Sequence, residues 1–540
     1  MSAKKAFRYA DDMRRELSFV DAEEGERSRK WVEARVSLLP WHWSRDVVAQ
    51  FVQRGGAACA DACSWLLEST LPGEGGRVPL SASDSDLRIA AKVAVAEAKA
   101  IAQVTRGGGR SVLESLAHTC ERWGIVPARP AKPSDSGPPD CWPAVRRMVC
   151  ERWWVRGLRR ATGRKCEAAA IRSGLVRRGK WCYVSQDCLV RRRQQRARSA
   201  AAIEGAVLTD TDTGEQVPMA LVVEGSIANP EIRRGELMTR IRGFDEFASE
   251  QGWSAEFWTL TAPSRFHAQR TIGAVSEKNP RYGGESPRAA HEYLCGVWAR
   301  ARASWARRGL VVAGLRTVEP HHDGCPHWHL VVYGPARDLR FARRLLRVYA
   351  LRDSGGEPGA KQRRFVAKVS IGASGAAYAA KYVAKNINGA GLEGVRDSET
   401  GRHVSSVVDR VLAWSATWGI RQFQFFGAPK VTAWRVLRRV SVPCGPADAP
   451  LEQARVAADE GSWAGFWRAW RAGEFSLLRD GAVVKLTEYG DRAVSRVVGV
   501  VESGMRAVME IRSWVVKWGA ARRESGAVVG RFGPSLDLCE

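Results

Sequence analysis

The stretch Glu319-Pro-His-His-Asp-Gly-Cys-Pro-His-Trp-His-Leu-Val-Val-Tyr333 constrains this chain most, because it dictates two strands and the turn between them. Leu330 to Tyr333 is an apolar, β-prone run that reads as a strand entering a core. Side chains alternate along a strand, so His327 and His329 project from one side and Trp328 from the other, into packing. The preceding run Leu310–Glu319 alternates as well, with Leu315, Thr317 and Glu319 on one face, and Asp323-Gly324 carries a turn signal. Together they predict a hairpin in which Glu319 reaches across to the histidines. The stretch holds four of the nine histidines in fifteen residues. Two imidazoles and a carboxylate on one rigid face can hold a divalent metal. A lone His-x-His more often sits plainly in a half-exposed strand; Glu319, His321, His322 and Asp323 shift the balance toward a metal site without naming a reaction.

Charge narrows the class of partner. The 540 residues carry 84 Lys+Arg against 58 Asp+Glu, a net +26 and a pI near 10.1. Such an excess implies a polyanion, and nucleic acid fits through phosphate neutralisation and counterion release. A membrane is not expected, since no apolar run reaches the roughly 18 residues of a spanning helix. Behind Met-Ser-Ala-Lys-Lys-Ala-Phe-Arg there is no apolar segment, so no secretory signal is expected either. The twelve cysteines include no Cys-x-x-Cys pair, and reduced thiols in a cytoplasm are the expectation.

Residues 1 to about 124 carry apolar residues at helical spacing and no evident chemistry. Pro127 to Pro139 is proline-rich and reads as a linker. Residues 141–200 hold 17 Lys+Arg against three acids, a net +14, with Trp153-Trp154, Trp181 and Tyr183 interleaved. A charge run is usually a solvated face; this imbalance favours nucleic-acid backbone contact. Thr209 to Gly214 marks a surface hairpin. Then come a helix over Pro230–Phe247, a strand at Phe257–Thr261, a helix from Ser286 to Arg308, the histidine hairpin, a basic helix over Leu339–Ala350 and a strand over Arg364–Ile371. The loop Gly372–Gly375 precedes a helix over Ala376–Asn386. A helix over Val404–Trp418, a strand at Gln422–Phe426 and a basic helix over Val431–Val440 complete the series. This order predicts an α+β domain with an antiparallel sheet and helices packed mainly on one face. Past Pro443–Pro450, Trp463, Phe466, Trp467 and Trp470 lie at helical spacing and read as a helix packing on a small core of its own.

Tyr378 and Tyr382 are four apart on the predicted helix Ala376–Asn386, and Lys385 returns to nearly the same face. Tyrosines at this spacing are usually packing. Beside a metal site in a basic protein they gain a second meaning. A free phenol has a pKa near 10 and is a poor nucleophile at neutral pH. A metal on the scissile phosphate and a nearby lysine would lower the barrier to its attack.

With these pieces in order the chain resembles the HUH endonucleases, and within them the phage replication gene A proteins that initiate rolling-circle replication. Phe257-Trp-Thr-Leu-Thr-Ala-Pro263 looks like the family's first motif. Glu319-Pro-His-His-Asp-Gly-Cys-Pro-His327-Trp-His329 resembles the His-hydrophobic-His motif. Tyr378-Ala-Ala-Lys-Tyr382-Val-Ala-Lys385-Asn is similar to the two-tyrosine motif, and Trp414–Phe423 and Val431–Arg439 also look like this subfamily. The likeness spans about 230–440, more faintly 141–200. It implies an HUH-type, palm-like antiparallel sheet with the histidines on a central strand and the tyrosines on a following helix. Taken with the reading of the residues above, the expected layout is a helical N-terminal region (1–124), a linker (125–140), a basic DNA-contacting region (141–228), the endonuclease domain (229–440) and a small α+β C-terminal region (441–540). His327 and His329 would be metal ligands with Glu319 third, His322 and His321 being rivals, and Mg²⁺ or Mn²⁺ the ion. Tyr378 and Tyr382 would be alternating nucleophiles, assisted by Lys385, that nick one strand at the origin, form a 5′-phosphotyrosine link and rejoin the displaced strand. Cys325 stands where a small polar residue is expected, and a thiol near a metal could bind zinc. The implied partners are single-stranded and origin DNA and a host helicase, since no P-loop is found; the implied location is the bacterial cytoplasm. An HUH transposase or plasmid relaxase shares the chemistry. A non-catalytic nucleic-acid-binding protein and a two-His, one-carboxylate iron oxygenase are the readings from other classes.

Overall fold

The fold is taken from a computed structural model of the 540-residue chain, which describes residues 24–70, 77–130, 140–272, 275–369, 375–390, 394–397, 400–480, 486–493, 495–518 and 528–530. Residues 131–139 of the proline-rich linker and 370–374 of the expected strand end and loop lie outside the described residues. The chain divides into two compact units, residues 1–176 with 484–493, and residues 177–483 with 494–540.

The first unit is helical, as its apolar spacing predicts. Helix Asp84–Val104 starts at a capping box in which Ser83 and Asp86 satisfy each other's backbone N–H groups. Residues 105–108, with Gly107 and Gly108, separate it from helix Gly109–Arg122. Ala91, Ala94 and Ala98 let it pack closely on helix Glu151–Arg172, which buries Trp154 and Leu158 in the same core. Arg159 clamps Asp84 at 2.6 and 2.7 Å, tying the first turn of one helix to the middle of the other. Among the described residues of the chain no helix is long and apolar enough to cross a membrane.

The second unit is built on five antiparallel strands: β1 (Ser254–Thr261), β2 (Ala313–Pro320), β3 (Pro326–Gly334), β4 (Phe365–Val369) and β5 (Phe423–Phe426), in the order β4-β1-β3-β2-β5. The β2–β3 hairpin forms where the sequence predicts it. Its turn closes by His321 N–H to the Cys325 carbonyl and Gly324 N–H to the His321 carbonyl, each 2.8 Å, and Gly324 takes the left-handed φ of +83° that a glycine tolerates. Thr317 stands opposite His329 and Glu319 opposite His327, so one face of the sheet collects the polar side chains.

Helices cover both faces, not mainly one. On the face carrying Phe257, Leu315, Val331 and the histidines lie α1 (Pro230–Glu250) and α4 (Gly375–Ile387). On the other face Trp258 meets Trp305, and Trp328 meets Trp298, each at 6.2 Å between ring centroids. Those tryptophans come from α2 (Pro287–Arg307), beside which runs α3 (Ala336–Leu351). The reason lies in the strands. Phe257-Trp258 and Leu330-Val331-Val332 put large apolar groups at both parities, and a sheet greasy on both sides needs two layers of cover. The α+β class stands as expected.

The aromatic stripe of helix Trp463–Ala472 likewise does not form a core of its own. Trp467 stacks on Phe247 at 4.2 Å and touches Phe244 at 4.7 Å, both on α1, so this helix shares the core under the sheet. The predicted hairpin near Thr209 is Val207–Asp210 with Gln216–Pro218, and its first strand also pairs with Trp514–Lys517, burying Leu208.

Candidate metal centre and tyrosine helix

β3 is the middle strand, so its backbone is paired on both sides and its side chains are held rigidly. His329 faces Thr259 of β1 and Thr317 of β2, and His327 faces Thr261 and Glu319. One ligand atom from each of Glu319, His327 and His329 lies within 4.8 Å of the others, forming a possible metal site. Glu319 is 2% and His327 6% exposed. Nε2 of His327 and Nε2 of His329 face each other at 2.9 Å. Two nitrogens each about 2.1 Å from one ion at right angles would stand about 3.0 Å apart, so the pair is spaced as two neighbouring ligands. Thr259 Oγ1, 3.2 Å from Nδ1 of His329, orients that ring with Nε2 toward the site, as an outer partner of a ligand does. His327 Nδ1 has no hydrogen-bond partner among the described residues. Burial holds the His327 imidazole well below its usual pKa, with His321 and His329 adding to the effect, so the ring stays neutral and keeps a lone pair to offer. The donor set of two imidazoles and a carboxylate fits a divalent ion.

Neither rival for the third position belongs to the ligand cluster. His322 Nε2 lies 2.9 Å from Thr271 Oγ1, and the His321 ring stacks on His327 with centroids 3.9 Å apart. Cys325 is buried, and burial pushes its thiol up, away from the thiolate that zinc takes. It stands outside the ligand cluster, on the His267 side of the turn, where His267 Nδ1 lies 3.2 Å from Asp323.

The tyrosine helix is laid onto the sheet by a single acid that sequence reading missed. Asp245 of α1 accepts the backbone N–H groups of Gly375 and Ala376 at 3.0 and 2.9 Å, and the Tyr333 hydroxyl at 2.6 Å. A carboxylate at a helix N-terminus satisfies orphan donors and complements the dipole. Gly375 is required at this contact: a Cβ there would stand 2.2 Å from the Tyr333 hydroxyl. Gly375→Ala is therefore expected to push the start of α4 off the sheet and cost roughly 1–3 kcal/mol in denaturant unfolding. Gly235→Ala in α1, where an added Cβ meets nothing within 4 Å, is the control and should gain up to about 1 kcal/mol.

Seated this way, α4 presents both tyrosines to the ligand face. The Tyr382 ring lies 4.4 Å from the His329 ring. Phe257 of β1 touches His329, Tyr378 and Tyr382 at 5.4, 5.2 and 5.7 Å, packing the three into one stack. Burial and then the Glu319 charge push the Tyr382 phenol up to about 12. Tyr378 is partnered instead by Lys368 of β4, whose Nζ donates to its hydroxyl at 3.3 Å.

Lys385 shares the helix with the tyrosines but turns to acids. Its ammonium lies 3.3 Å from Glu319 and 2.9 Å from Asp397. Burial opposes its charge, yet those two carboxylates outweigh burial and hold it protonated. Asn386 donates to the other Glu319 oxygen and is itself held by Gln422 at 2.6 Å. Tyr183 donates to Asp397 at 2.5 Å. Asn386 closes the two-tyrosine motif and was within reach of sequence reading. Asp397, Tyr183, Lys368 and Asp245 carry no local signal.

A profile of the bacteriophage replication gene A protein (GPA) matches residues 113–390. The "Replication gene A protein" of Escherichia phage 186 is 37% identical over 391 residues, 70% of this chain and 55% of that one. That of Escherichia phage P2 is 36% identical over 374 residues, 66% of this chain and 49% of its own. A "Probable replication endonuclease from prophage-like region" of Salmonella paratyphi A is 36% identical over 301 residues, covering 55% and 37%. The chain thus spans about half the length of the curated relatives it matches. No solved structure matches it. The matched span takes in more than half of the chain, both histidines and both tyrosines, and the chain belongs to the bacteriophage replication gene A protein family.

Proposed function

We propose that this chain is a metal-dependent replication endonuclease of the HUH, two-tyrosine type. It would nick one DNA strand at an origin and rejoin the displaced strand during rolling-circle replication. The observation that carries this reading is the Tyr382 ring lying 4.4 Å from His329, on the face that collects Glu319, His327 and His329. A divalent ion held by those three residues would polarise the scissile phosphate and offset charge developing on its oxygens.

The chain's own groups account for the rest. A phenol oxygen of Tyr378 or Tyr382 attacks phosphorus. The P–O3′ bond breaks, the phenol proton is given up, and the departing 3′ oxygen takes a proton to leave as a hydroxyl. The 5′ phosphate remains esterified to tyrosine, so the energy of the broken bond is kept for rejoining. Burial and then the Glu319 charge raise the Tyr382 phenol, so Tyr382 would enter the reaction protonated and give up its proton as it attacks. Lys385 and Asn386 hold Glu319 in place, and Phe257 and Thr259 hold His329. Strand opening would fall to a helicase of the host.

The test is to incubate the chain with single-stranded oligonucleotides tiling its replicon and look for a product that survives SDS. Mn²⁺ or Mg²⁺ should be required, and EDTA should abolish the product. An adduct indifferent to EDTA, or none with any oligonucleotide and either metal, would sink the reading.

A further inference from the structure

α3 is amphipathic in an unusual way. Its inner side buries Leu339, Ala342 and Leu346 against the sheet. Its outer side exposes Arg337, Arg340, Phe341, Arg344 and Val348, with Phe341 44% exposed. Between this side and β4 runs a groove of about 430 Å³, lined by Arg340, Phe341, Arg344 and Arg347 from the helix and by Phe365 and Ala367 from the strand.

Arg343 also lines the groove and is answered by Glu256, but among the described residues the remaining arginines of the groove meet no carboxylate. Asp338 accepts the Val311 N–H. Glu256 is taken by Arg343 at 2.6 Å and by the Trp258 indole. Glu357 is taken by Arg364 at 2.9 Å, and Asp353 by Arg265 at 2.7 Å. Arg347 spends its guanidinium on the carbonyls of Phe365 and Lys361, which pins the far end of the groove. Arg340 and Arg344 have no acidic partner among the described residues. They lie one helical turn, about 6 Å, apart, with the Phe341 ring exposed beside them. Cations tracking a backbone beside an aromatic face are what a single strand takes, because its bases are open to stacking and a duplex hides them.

Position supplies the second part. β4 is one of the two edge strands of the described sheet, and its side chains alternate. Lys368 points to the tyrosine face and reaches Tyr378, whereas Phe365 and Ala367 point into the groove. One strand separates a nucleophile from the groove. We propose that the groove between α3 and β4 is a single-stranded DNA subsite, with phosphates on Arg340 and Arg344 and a base stacked on Phe341. It would take the strand where it rounds β4 on leaving the tyrosines. This placement rests on the tyrosine-nuclease reading.

The experiment uses the full chain with Tyr378→Phe and Tyr382→Phe, which cannot form an adduct, and a fluorescent single-stranded oligonucleotide across a salt series. Adding Arg340→Gln and Arg344→Gln should flatten the slope of log K against log salt by about 1.4, two contacts at about 0.7 each. Adding Phe341→Ala should weaken binding roughly tenfold with the slope unchanged, and Phe341→Tyr should restore it. All these positions are exposed, and unchanged melting temperatures will verify folding. An unchanged slope together with unchanged affinity in Phe341→Ala overturns the subsite, as does a loss seen with duplex but not with single strands. Adduct formation is scored separately on chains with both tyrosines. An adduct with no groove effect rejects the subsite alone; a groove effect with no adduct rejects the nuclease reading alone.

Discussion

A chain carrying Tyr378→Phe and Tyr382→Phe together is expected to form no covalent DNA adduct, a loss of at least roughly 10³-fold, while folding and binding DNA as before. The substitution removes only the two oxygens. Both rings remain, so the stack through Phe257 and His329 persists. The one hydrogen bond described for either hydroxyl, from Lys368 to Tyr378, is exposed, and its loss should cost no more than about 1 kcal/mol. Each single variant should keep one adduct and lose the second transfer. The sequence makes the assignment direct. Trypsin cuts after Lys368, Lys381 and Lys385, which places Tyr378 and Tyr382 in separate peptides. Mass spectrometry of the nucleotide-bearing peptide then reads which phenol attacked. An adduct that survives in the double variant would mean that the nucleophile is another residue.

What the sequence disclosed about this site is what strand and helix periodicity can carry. Alternation places His327, His329 and Glu319 on one face because the β2–β3 register pairs Glu319 with His327. Four-residue spacing puts Tyr378 and Tyr382 on one side of α4, and both do reach Phe257. The same periodicity is silent on what comes from elsewhere in the chain. Asp245 lies 130 residues before the Gly375 that it anchors, and Tyr183 lies 214 residues before Asp397. Lys385 shows the limit most clearly. Helical spacing puts its Cα near the tyrosine stripe, but a four-carbon stem lets a buried ammonium choose, and two buried carboxylates outcompete two phenols. The two-sided cover of the sheet was legible in Phe257-Trp258, and the destination of the Trp463 stripe was not, because an apolar helix face does not name its partner.

Lys385→Met is expected to destabilise the chain by roughly 3–5 kcal/mol at neutral pH, since it leaves Glu319 and Asp397 as buried carboxylates without their cation. The pH dependence should also change sign. In the parent chain burial works to raise the Asp397 carboxyl, but Lys385 and then Tyr183 and Thr400 prevail and hold it below its ordinary 3.8. A depressed carboxyl contributes stability that is present above its unfolded pKa and is lost as pH falls through the folded one. In the variant the same carboxyl keeps its Tyr183 and Thr400 hydrogen bonds but loses its cation, so burial, the largest influence on it, should carry it above 3.8. Its penalty is then full at neutral pH and shrinks as acid protonates it. Denaturation midpoints followed from neutral to mildly acidic pH should therefore converge, the parent falling and the variant recovering part of its deficit. The ammonium 3.3 Å from Glu319 is also a competitor for that carboxylate. Mn²⁺ is accordingly expected to raise the melting temperature of Lys385→Met by more than that of the parent, because a bound cation restores the missing charge and stabilises by linkage. Parallel pH curves and equal Mn²⁺ shifts would show that Lys385 neither holds Asp397 nor presses on Glu319, leaving the ligand cluster to stand without it.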